Sequence, residues 1–351
     1  MRGTRRTRAA LGTALAAALV AAACQPAAVR FATLSGPLVA AVLTPEELAG
    51  VDVVGLPVDV DAVVAGVDPF VLKGHVDALT AAGPRTGATA AAQQAVAYLD
   101  ATLAAEGYAV QHQPVALGGI TMPNVYVTKP GTTCPGKVFV VGGHYDSVPA
   151  SPGADDNASG TAGMLELARV LADVPLPITV RFAGFAFEES GLVGSGVMAQ
   201  DLQDRGTDVV GMVSLEMIGF TRTAPDPFIG TNQDFLAVVA NPASARLAEV
   251  FGAASLVYTP SHFAPAAVVD PATLGDVLRS DHAPFWARGF PALLATDTAN
   301  FRNPNYHQAS DTAATLDVPF LLGSTRSVAA GLVAFATLDA DGDGVPDACA
   351  G

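Results

Sequence analysis

The sequence predicts an α/β protein in three layers, with a mostly parallel central sheet covered by helices on both faces. Short apolar runs, typical of buried strands, alternate with segments whose apolar residues recur at three- and four-residue steps, typical of helices. Strands separated by helices form largely parallel sheets that are covered on both faces. Half of the 351 residues are hydrophobic, which is ample for one large core.

The predicted elements follow one another along the chain. Helices are expected over residues 89–106, 160–172 and 321–338. Strands are expected over residues 138–141, 178–187, 209–215 and 291–295. Gly107 ends the first helix, in which Ala92, Val96, Leu99 and Leu103 share one face. Ligands of such sheets bind at the carboxyl ends of the strands, so functional residues are expected there.

Residues 1–23 are predicted to be an export signal. A basic stretch up to Arg8 precedes an uncharged, mostly apolar segment over 9–23, which is too short for a good membrane span. Small residues stand directly before Cys24, as at a bacterial lipoprotein processing site, so Cys24 is expected to be the first mature residue and to carry a lipid. Ordinary signal cleavage nearby is the alternative. Both routes predict an exported protein, either a cell-envelope lipoprotein or a secreted one.

The rest of the chain divides into three parts. Residues 25–70, rich in Ala, Val and Pro, are expected to be a linker with a small accessory segment, and residues 71–338 the main domain. Residues 339–351 form an acidic tail, which resembles the calcium loops of thrombospondin-like extracellular proteins. Its candidate calcium ligands are Asp339, Asp341, Asp343 and Asp347. A solvated acidic tail is the other interpretation.

Charge and cysteine content exclude several classes of partner and site. The formal net charge is −15, which repels phosphate backbones and anionic membranes. We therefore expect no nucleic-acid partner, and membrane contact only through a lipid on Cys24. Beyond that residue, Cys134 and Cys349 are too few for a thiolate metal site. They could pair in an oxidising compartment, which the sequence leaves open.

Five short segments hold most of the unusual polar residues, and three of them follow or end a predicted strand. They are GGHYDS (142–147), GADDNASG (153–160), EESG (188–191), SLEMIG (214–219) and YHQASDT (306–312). Two neighbouring glutamates, Glu188 and Glu189, are costly at the end of a buried strand unless a cation neutralises them. Together the segments supply two histidines and at least three carboxylates, the ligand set of two zinc ions.

The order of these segments resembles the di-zinc aminopeptidase family, which includes bacterial leucyl aminopeptidases, plasma glutamate carboxypeptidase and the glutaminyl cyclases. The resemblance covers roughly residues 75–338 and rests on GGHYDS, GADDNASG, FAFEESGLVGS, SLEMIGF, SDHAPFWARGFPALLATDT and YHQASDT. It implies a zinc-peptidase, phosphorylase/hydrolase-like architecture, two Zn²⁺ ions per chain and peptide substrates. The expected activity is that of an aminopeptidase.

The resemblance also implies the zinc ligands. His144 and Glu216 are expected on one ion, Glu189 and His307 on the other, and Asp156 between the two. The peptide bond after Asp156 is often cis in this family. Leucyl aminopeptidases have Asp at the position of Glu216, so the longer side chain is a departure that bears on the exopeptidase preference.

The remaining roles concern catalysis and support of the ligands. Glu188 matches the general base, and Asp146 the carboxylate that orients His144. Asp281 and His282 belong to a block near the active site, where His282 is expected to support the ligands or contact substrate. The other histidines, His75, His112 and His262, are expected to be structural or surface residues.

Three other functions fit the same residues. A carboxypeptidase or an N-acyl-amino-acid hydrolase would use the same two ions and cleave N-blocked substrates. A glutaminyl cyclase binds a single zinc and lacks the first histidine, so His144 counts against it. A non-catalytic lipoprotein binding module would be expected to lack a base or a ligand, and no expected position is empty here.

Overall fold

The computed structural model describes residues 40–222, 234–262 and 264–350. The export signal, Cys24 and residues 25–39 lie outside the described residues. Export and lipidation therefore stay predictions.

A nine-stranded sheet organises the protein, in the order β1-β8-β7-β9-β6-β4-β5-β3-β2. The strands are β1 (Ala40–Val42), β2 (Gln111–Leu117), β3 (Ile120–Lys129), β4 (Cys134–His144), β5 (Ile178–Phe185), β6 (Asp208–Glu216), β7 (Ala237–Ala240), β8 (Ala266–Val269) and β9 (Leu293–Thr296). The helices are α1 (Pro45–Leu48), α2 (Val60–Gly66), α3 (Pro69–Thr80), α4 (Ala90–Ala105), α5 (Gly160–Leu171), α6 (Val193–Asp204), α7 (Ala245–Tyr258), α8 (Ala283–Trp286) and α9 (Val318–Thr337).

The sheet is mixed rather than mostly parallel. The four adjacent strands β9, β6, β4 and β5 are parallel, and so are β7 and β8, whereas the other pairings are antiparallel. Gly118 and Gly119 explain one of these, because both have positive φ (57° and 83°) and return the chain directly from β2 into β3. The α/β class is confirmed, and the parallel arrangement applies to the strands that carry the site.

Alternation along β4 shows why the fold has three layers. Phe139 and Val141 face one hydrophobic core, which also contains residues of α5, α7 and α9. Val138 and Val140 face a second core on the opposite side, together with residues of α6 and α8. Successive side chains of a strand point to opposite faces, so a run of apolar residues in β4 requires cover on both.

The first described elements join the same core. Within residues 25–70, where a linker and accessory segment was expected, β1 pairs with β8 at the edge of the sheet. Helix α2 buries Val60, Val63 and Val64 and packs against α9. The valines of this segment lack a clear period in the sequence because the elements are only three to seven residues long.

Helix α9 is the central helix of one layer. By length and composition it could cross a membrane, but 72% of its most apolar stretch is buried inside the protein. It packs against α7, and Asp317 caps its first turn by accepting a hydrogen bond from the backbone N–H of Phe320. We therefore assign it to the core of the fold.

Cys134 and Cys349 form a disulfide, with 5.7 Å between their Cα atoms. The bond joins the acidic tail to the beginning of β4. Lys137 adds a second tie, because its ammonium donates to the carbonyl oxygen of Ala350 (3.2 Å). The tail is thus fixed to the sheet at the end opposite His144.

Candidate active site and metal centre

Three adjacent parallel strands bring acidic and imidazole groups to one edge of the sheet. β4 ends at His144 and β6 at Glu216, while Glu188 and Glu189 follow the end of β5. The carboxyl ends of parallel strands meet at one edge, as the sequence predicts for ligand-binding residues. His144 is 0% exposed, whereas Glu188 and Glu216 are 8% and 9% exposed at the mouth of the site.

A first cluster surrounds the Nε2 atom of His144. This atom lies 3.4 Å from Glu216 Oε2, 3.5 Å from Asp156 Oδ1 and 3.7 Å from Glu188 Oε2. The donor atoms of His144, Glu188 and Glu216 all lie within 4.8 Å of one another, close enough to hold one metal ion. By distance alone, Glu188 is therefore a third carboxylate, after Glu216 and Asp156, that faces the Nε2 atom of His144.

A second cluster surrounds the Nε2 atom of His307. Both Asp156 Oδ2 and Glu189 Oε2 lie 3.1 Å from it. Asp156 thus presents one oxygen to each histidine, as a ligand shared by two ions would. The peptide bond between Asp156 and Asn157 is cis, as the family resemblance implies.

Unpaired buried atoms show that a cation fits this site. His144 Nε2, Asp156 Oδ2, Glu189 Oε1 and His307 Nε2 are buried and have no hydrogen-bond partner among the described residues. Buried polar atoms are normally paired, and imidazole nitrogens with carboxylate oxygens are the donors that zinc prefers. The predicted ligands therefore converge, and their donor set suits two zinc ions.

The charges of the cluster shift its pKa values in the direction expected for a cation site. Burial alone would lower the pKa of His307, but the nearby carboxylates of Asp156 and Glu189 outweigh it and raise the pKa to about 9. Burial raises the pKa of Glu188 well above its usual range, and the negative charge of Glu216 adds to this. The site is thus rich in negative charge that a metal cation would neutralise.

Asp146 connects β4 to the loop after β5. Its carboxylate accepts hydrogen bonds from the backbone N–H groups of Glu188 (3.1 Å) and Glu189 (3.3 Å). The Nδ1 atom of His144 lies 3.1 Å from the carbonyl oxygen of Asp146 and 3.5 Å from its carboxylate. The structure therefore places the main chain of Asp146 nearest the histidine, and its side chain on the two glutamates.

A network around residues 154–159 fixes the segment that contains Asp156. Asn157 donates to the carbonyl oxygen of Leu215 (2.8 Å) and accepts from the backbone N–H of Met217 (3.0 Å), so the segment is tied to the end of β6. From the other side, the Asp311 carboxylate accepts from the backbone N–H groups of Asp155 (2.9 Å) and Asp156 (3.1 Å).

Three residues beside the clusters adopt left-handed backbone conformations. They are Phe187 (φ 56°), Met217 (φ 48°) and His307 (φ 60°). For residues other than glycine this conformation costs roughly 1–3 kcal/mol, and it persists where the surrounding structure enforces it. Phe187 precedes the candidate base and Met217 follows a candidate ligand, so these conformations direct the functional side chains.

The three residues of the motif at 280–282 have different surroundings. The Ser280 hydroxyl donates to Glu216 Oε2 (2.7 Å) and so orients a candidate ligand. Asp281 is fully buried and close enough for its charge to raise the pKa of Glu188. His282 lies apart: its Nε2 is 2.7 Å from the carbonyl oxygen of Val277, and its ring packs edge-on against Trp286. No described hydrogen bond or ion pair joins it to a candidate ligand.

A cavity of about 100 Å³ opens beside Glu216. Its apolar lining residues include Ala237, Val239, Leu274, Val277, Leu294 and Phe301. Arg279, Asn300 and Tyr306 stand among its polar lining residues, and the Tyr306 ring stacks on the His307 ring at 3.8 Å between centroids. The cavity thus adjoins both clusters and could receive an apolar group of a substrate.

Sequence reasoning gave no role to three residues that support the site: Arg85, Ser280 and Asp311. Ser280 and Asp311 stand inside recognised motifs, so their positions beside candidate ligands were a usable signal. Arg85 stands far from any motif in the sequence, and only the fold brings it to the site. His75 and His262 are buried away from the clusters, and His112 pairs at the surface with Asp100 (2.7 Å).

In the acidic tail, oxygens of Asp339, Asp341 and Asp347 lie within 4.8 Å of one another. Asp343 accepts a hydrogen bond from the backbone N–H of Val345 (2.7 Å). Exposed acidic groups often cluster without an ion, so calcium binding by the tail stays a prediction.

Comparison with known proteins gives one family and several relatives. The model of peptidase family M28 matches residues 124–331. The uncharacterised protein YfbL of Escherichia coli K12 is 33% identical over 239 residues, which cover 62% of this chain and 72% of that protein. Aminopeptidase YwaD of Bacillus subtilis is 52% identical over 68 residues, only 19% of this chain and 15% of YwaD. The match to YwaD is thus a short block.

Solved structures share the fold. The structure of BSAP, a zinc aminopeptidase from Bacillus subtilis, superposes with a TM-score of 0.63 at 17% identity, covering 76% of this chain and 95% of that one. At this identity the similarity concerns the architecture of the sheet and its flanking helices.

Proposed function

We propose, since this chain belongs to peptidase family M28, that it is an exported aminopeptidase with two zinc ions and Glu188 as its general base. The chain is a metallopeptidase by family. The observation that carries the more specific proposal is the position of Asp156, whose two carboxylate oxygens face His144 and His307 separately. Two similar proteins add support. YwaD is named an aminopeptidase, and BSAP, a zinc aminopeptidase, has the same fold.

The candidate ligands divide into two sets of three. His144 and Glu216 would hold one ion and Glu189 and His307 the other, with Asp156 shared. When bound, such ions polarise a scissile carbonyl and lower the pKa of water. Asp146 fixes the main chain of Glu189, and Ser280 holds the carboxylate of Glu216, through the hydrogen bonds described above.

The surroundings of Glu188 support its proposed role in moving the proton. The residue is 8% exposed, so its carboxylate can touch a water molecule at the mouth of the site while staying largely shielded from solvent. In the proposed reaction, it takes a proton from the water whose oxygen attacks the scissile carbonyl carbon. As the carbon–nitrogen bond breaks, Glu188 gives that proton to the leaving nitrogen. General acid–base help of this kind contributes roughly 10²- to 10⁴-fold.

The charge and the cavity together support cleavage at the amino terminus. The negative charge at the mouth of the site would favour the ammonium of a free N-terminus. The apolar cavity beside Glu216 would then receive the side chain of the N-terminal residue.

One observation favours a carboxypeptidase as the second candidate. Arg279 lines the cavity, and its guanidinium is held by Tyr306 Oη (2.8 Å) and Asn300 Oδ1 (3.0 Å), so it could bind a substrate carboxylate. However, Asp276 lies 3.8 Å from Arg279 and offsets part of its charge. We therefore prefer the aminopeptidase.

Matched peptides distinguish these functions. Free and N-acetylated forms of one peptide are incubated with zinc-loaded protein, with and without a chelator, and products are identified by mass spectrometry. Chelator-sensitive loss of single residues from only the free amino terminus would support the proposal. Cleavage of the acetylated peptide would instead indicate a carboxypeptidase or deacylase, and no product from either peptide would contradict both.

Export is supported by the disulfide between Cys134 and Cys349, because disulfides persist mainly in oxidising compartments. We propose that the mature protein begins at Cys24 and carries a lipid there. Mass spectrometry of protein from the producing cell tests this: a lipid-modified Cys24 supports an envelope lipoprotein, and an unmodified N-terminus downstream indicates a secreted protein.

A further inference from the structure

Arg85, in the loop between α3 and α4, has one of the two largest fully buried side chains among the described residues. An arginine is seldom completely buried, and one that is needs partners for all its donors. Its hydrogen bonds go to main-chain carbonyl oxygens: Nε donates to Tyr145 (2.6 Å), Nη1 to Pro152 (2.5 Å) and Nη2 to Gly153 (2.9 Å). The planar guanidinium thus connects two nearby segments of the chain that follows β4.

Both segments carry candidate zinc ligands. Tyr145 stands between His144 and Asp146, and Gly153 stands three residues before Asp156. The backbone N–H of Arg85 also donates to Ser147 Oγ (3.0 Å), whose hydroxyl donates to the carbonyl oxygen of Ser151 (3.0 Å). Arg85 therefore makes two hydrogen bonds to each segment, to residues 145 and 147 of the first and to residues 152 and 153 of the second.

The packing between Arg85 and the second segment leaves no spare room. Gly153 has φ 64°, and a Cβ atom there would lie 2.2 Å from the carbonyl oxygen of Asp156 and 3.1 Å from Nη2 of Arg85. Glycine is required where a positive φ coincides with so close an approach. A shift of the guanidinium would therefore move the backbone that leads to Asp156.

Charge gives Arg85 a second effect on the site. Burial lowers its pKa to about 10, and the negative charges of Asp146, Asp156, Asp311 and Glu189 act in the opposite direction. Arg85 is thus a cation at neutral pH. A buried cation near several carboxylates reduces their mutual repulsion before any metal binds.

Building on the proposed function, we propose that Arg85 is a positioning residue for the metal centre. By tying residues 144–147 to residues 151–156, it sets the spacing at which His144 and His307 can share Asp156. It touches neither substrate nor metal, and acts through the backbone of the two segments.

Zinc affinity tests this role without substrate. Metal-free wild type, Arg85→Met and Arg85→Lys are titrated with zinc in competition with a chromophoric chelator, and their melting temperatures are measured with and without zinc. Leu332→Ala is the control, because Leu332 is buried in α9 and makes a general core defect.

We expect Arg85→Met to weaken zinc binding roughly 10- to 100-fold, the range found when residues that orient ligands are removed, and to lose most of the zinc-dependent rise in melting temperature. Arg85→Lys, which keeps the charge but not the fork of donors, should fall between it and wild type. Leu332→Ala should melt earlier but bind zinc like wild type.

Wild-type zinc affinity in Arg85→Met would overturn the inference, as would an equal loss in Leu332→Ala. If Arg85→Met does not fold, Arg85→Lys decides the question, and wild-type affinity in that variant would overturn the inference. Since the readout is zinc binding, a wild-type protein that binds zinc but cleaves no peptide would contradict the proposed function and not the role of Arg85.

Discussion

Asp146 Oδ1 accepts a hydrogen bond from the backbone N–H of Glu188 at 3.1 Å, across two adjacent parallel strands. The other carboxylate oxygen accepts from the N–H of the next residue, Glu189, at 3.3 Å. One side chain at the end of β4 therefore fixes the main chain of both glutamates, the candidate base and a candidate ligand.

Asp146→Asn should lower kcat roughly 10- to 100-fold and weaken zinc binding, because an amide N–H would face a backbone N–H where an acceptor is needed. Steady-state kinetics and zinc titration measure the two effects. Asp100→Asn is the control, since Asp100 pairs with His112 at the surface and should leave both quantities unchanged. Unaltered kinetics in Asp146→Asn would mean that the backbone of the glutamates needs no such support.

Glu188→Gln should keep the bound zinc and lose turnover by roughly 10²- to 10⁴-fold, because glutamine has nearly the same shape but cannot take a proton. Metal analysis and single-turnover assays on the same preparation separate the two properties. If zinc were lost together with activity, Glu188 would be a ligand, as its place beside His144 also allows.

His144 and His307 should each be a ligand of a different zinc ion. His307→Ala is expected to reduce bound zinc from about two ions per chain to about one, and so is His144→Ala, whereas Asp156→Ala should abolish both sites because its carboxylate is shared. Elemental analysis after dialysis gives the stoichiometry. His112→Ala should retain wild-type zinc. Two tightly held ions in Asp156→Ala would contradict a shared ligand.

Particular residues show how much of the fold the sequence predicts. The runs 138–141 and 209–215 predict strands correctly because they are apolar and buried on both faces, and the structure extends them to Cys134–His144 and Asp208–Glu216. The strands Ala40–Val42, Ala237–Ala240 and Ala266–Val269 are missed, since they consist only of alanine and valine and do not stand out from the apolar residues around them. Motif order indicates the residues that converge on the site.

Other features of the site and the fold could not be predicted, because they depend on tertiary contacts. Arg85 and Asp311 act through backbone groups of residues far away in sequence, which no local pattern reveals. The antiparallel pairing of β2 with β3 follows from the turn at Gly118 and Gly119, which the period of the apolar residues does not reveal. His282 shows the reverse: it lies in a motif, but its described contacts are with Val277 and Trp286.

His75 should make folding sensitive to acid. Burial lowers its pKa to about 4 from 6.5, with the charge of Arg169 adding to the effect. Between these pH values the unfolded chain binds more protons than the folded protein, so stability present above pH 6.5 is lost as the pH falls toward 4. The slope from one such histidine is at most about 1.4 kcal/mol per pH unit.

His75→Gln, which can still bond to Tyr98, should flatten that dependence in denaturant melts of metal-free protein from pH 6.5 to 4. Tyr98→Phe removes the partner hydroxyl and keeps the imidazole buried, so it should retain the wild-type slope. Identical slopes in wild type and His75→Gln would exclude His75 as a source of the acid sensitivity.

The bond between Cys134 and Cys349 makes a covalent ring of most of the chain, since the two cysteines are 215 positions apart in the sequence. The candidate ligands and the candidate base all lie within this ring, from His144 to His307. A single backbone cut at any exposed loop between the cysteines would leave both fragments attached to each other. An enzyme that works among other proteases could thus be nicked once and still keep every part of its metal centre on one molecule.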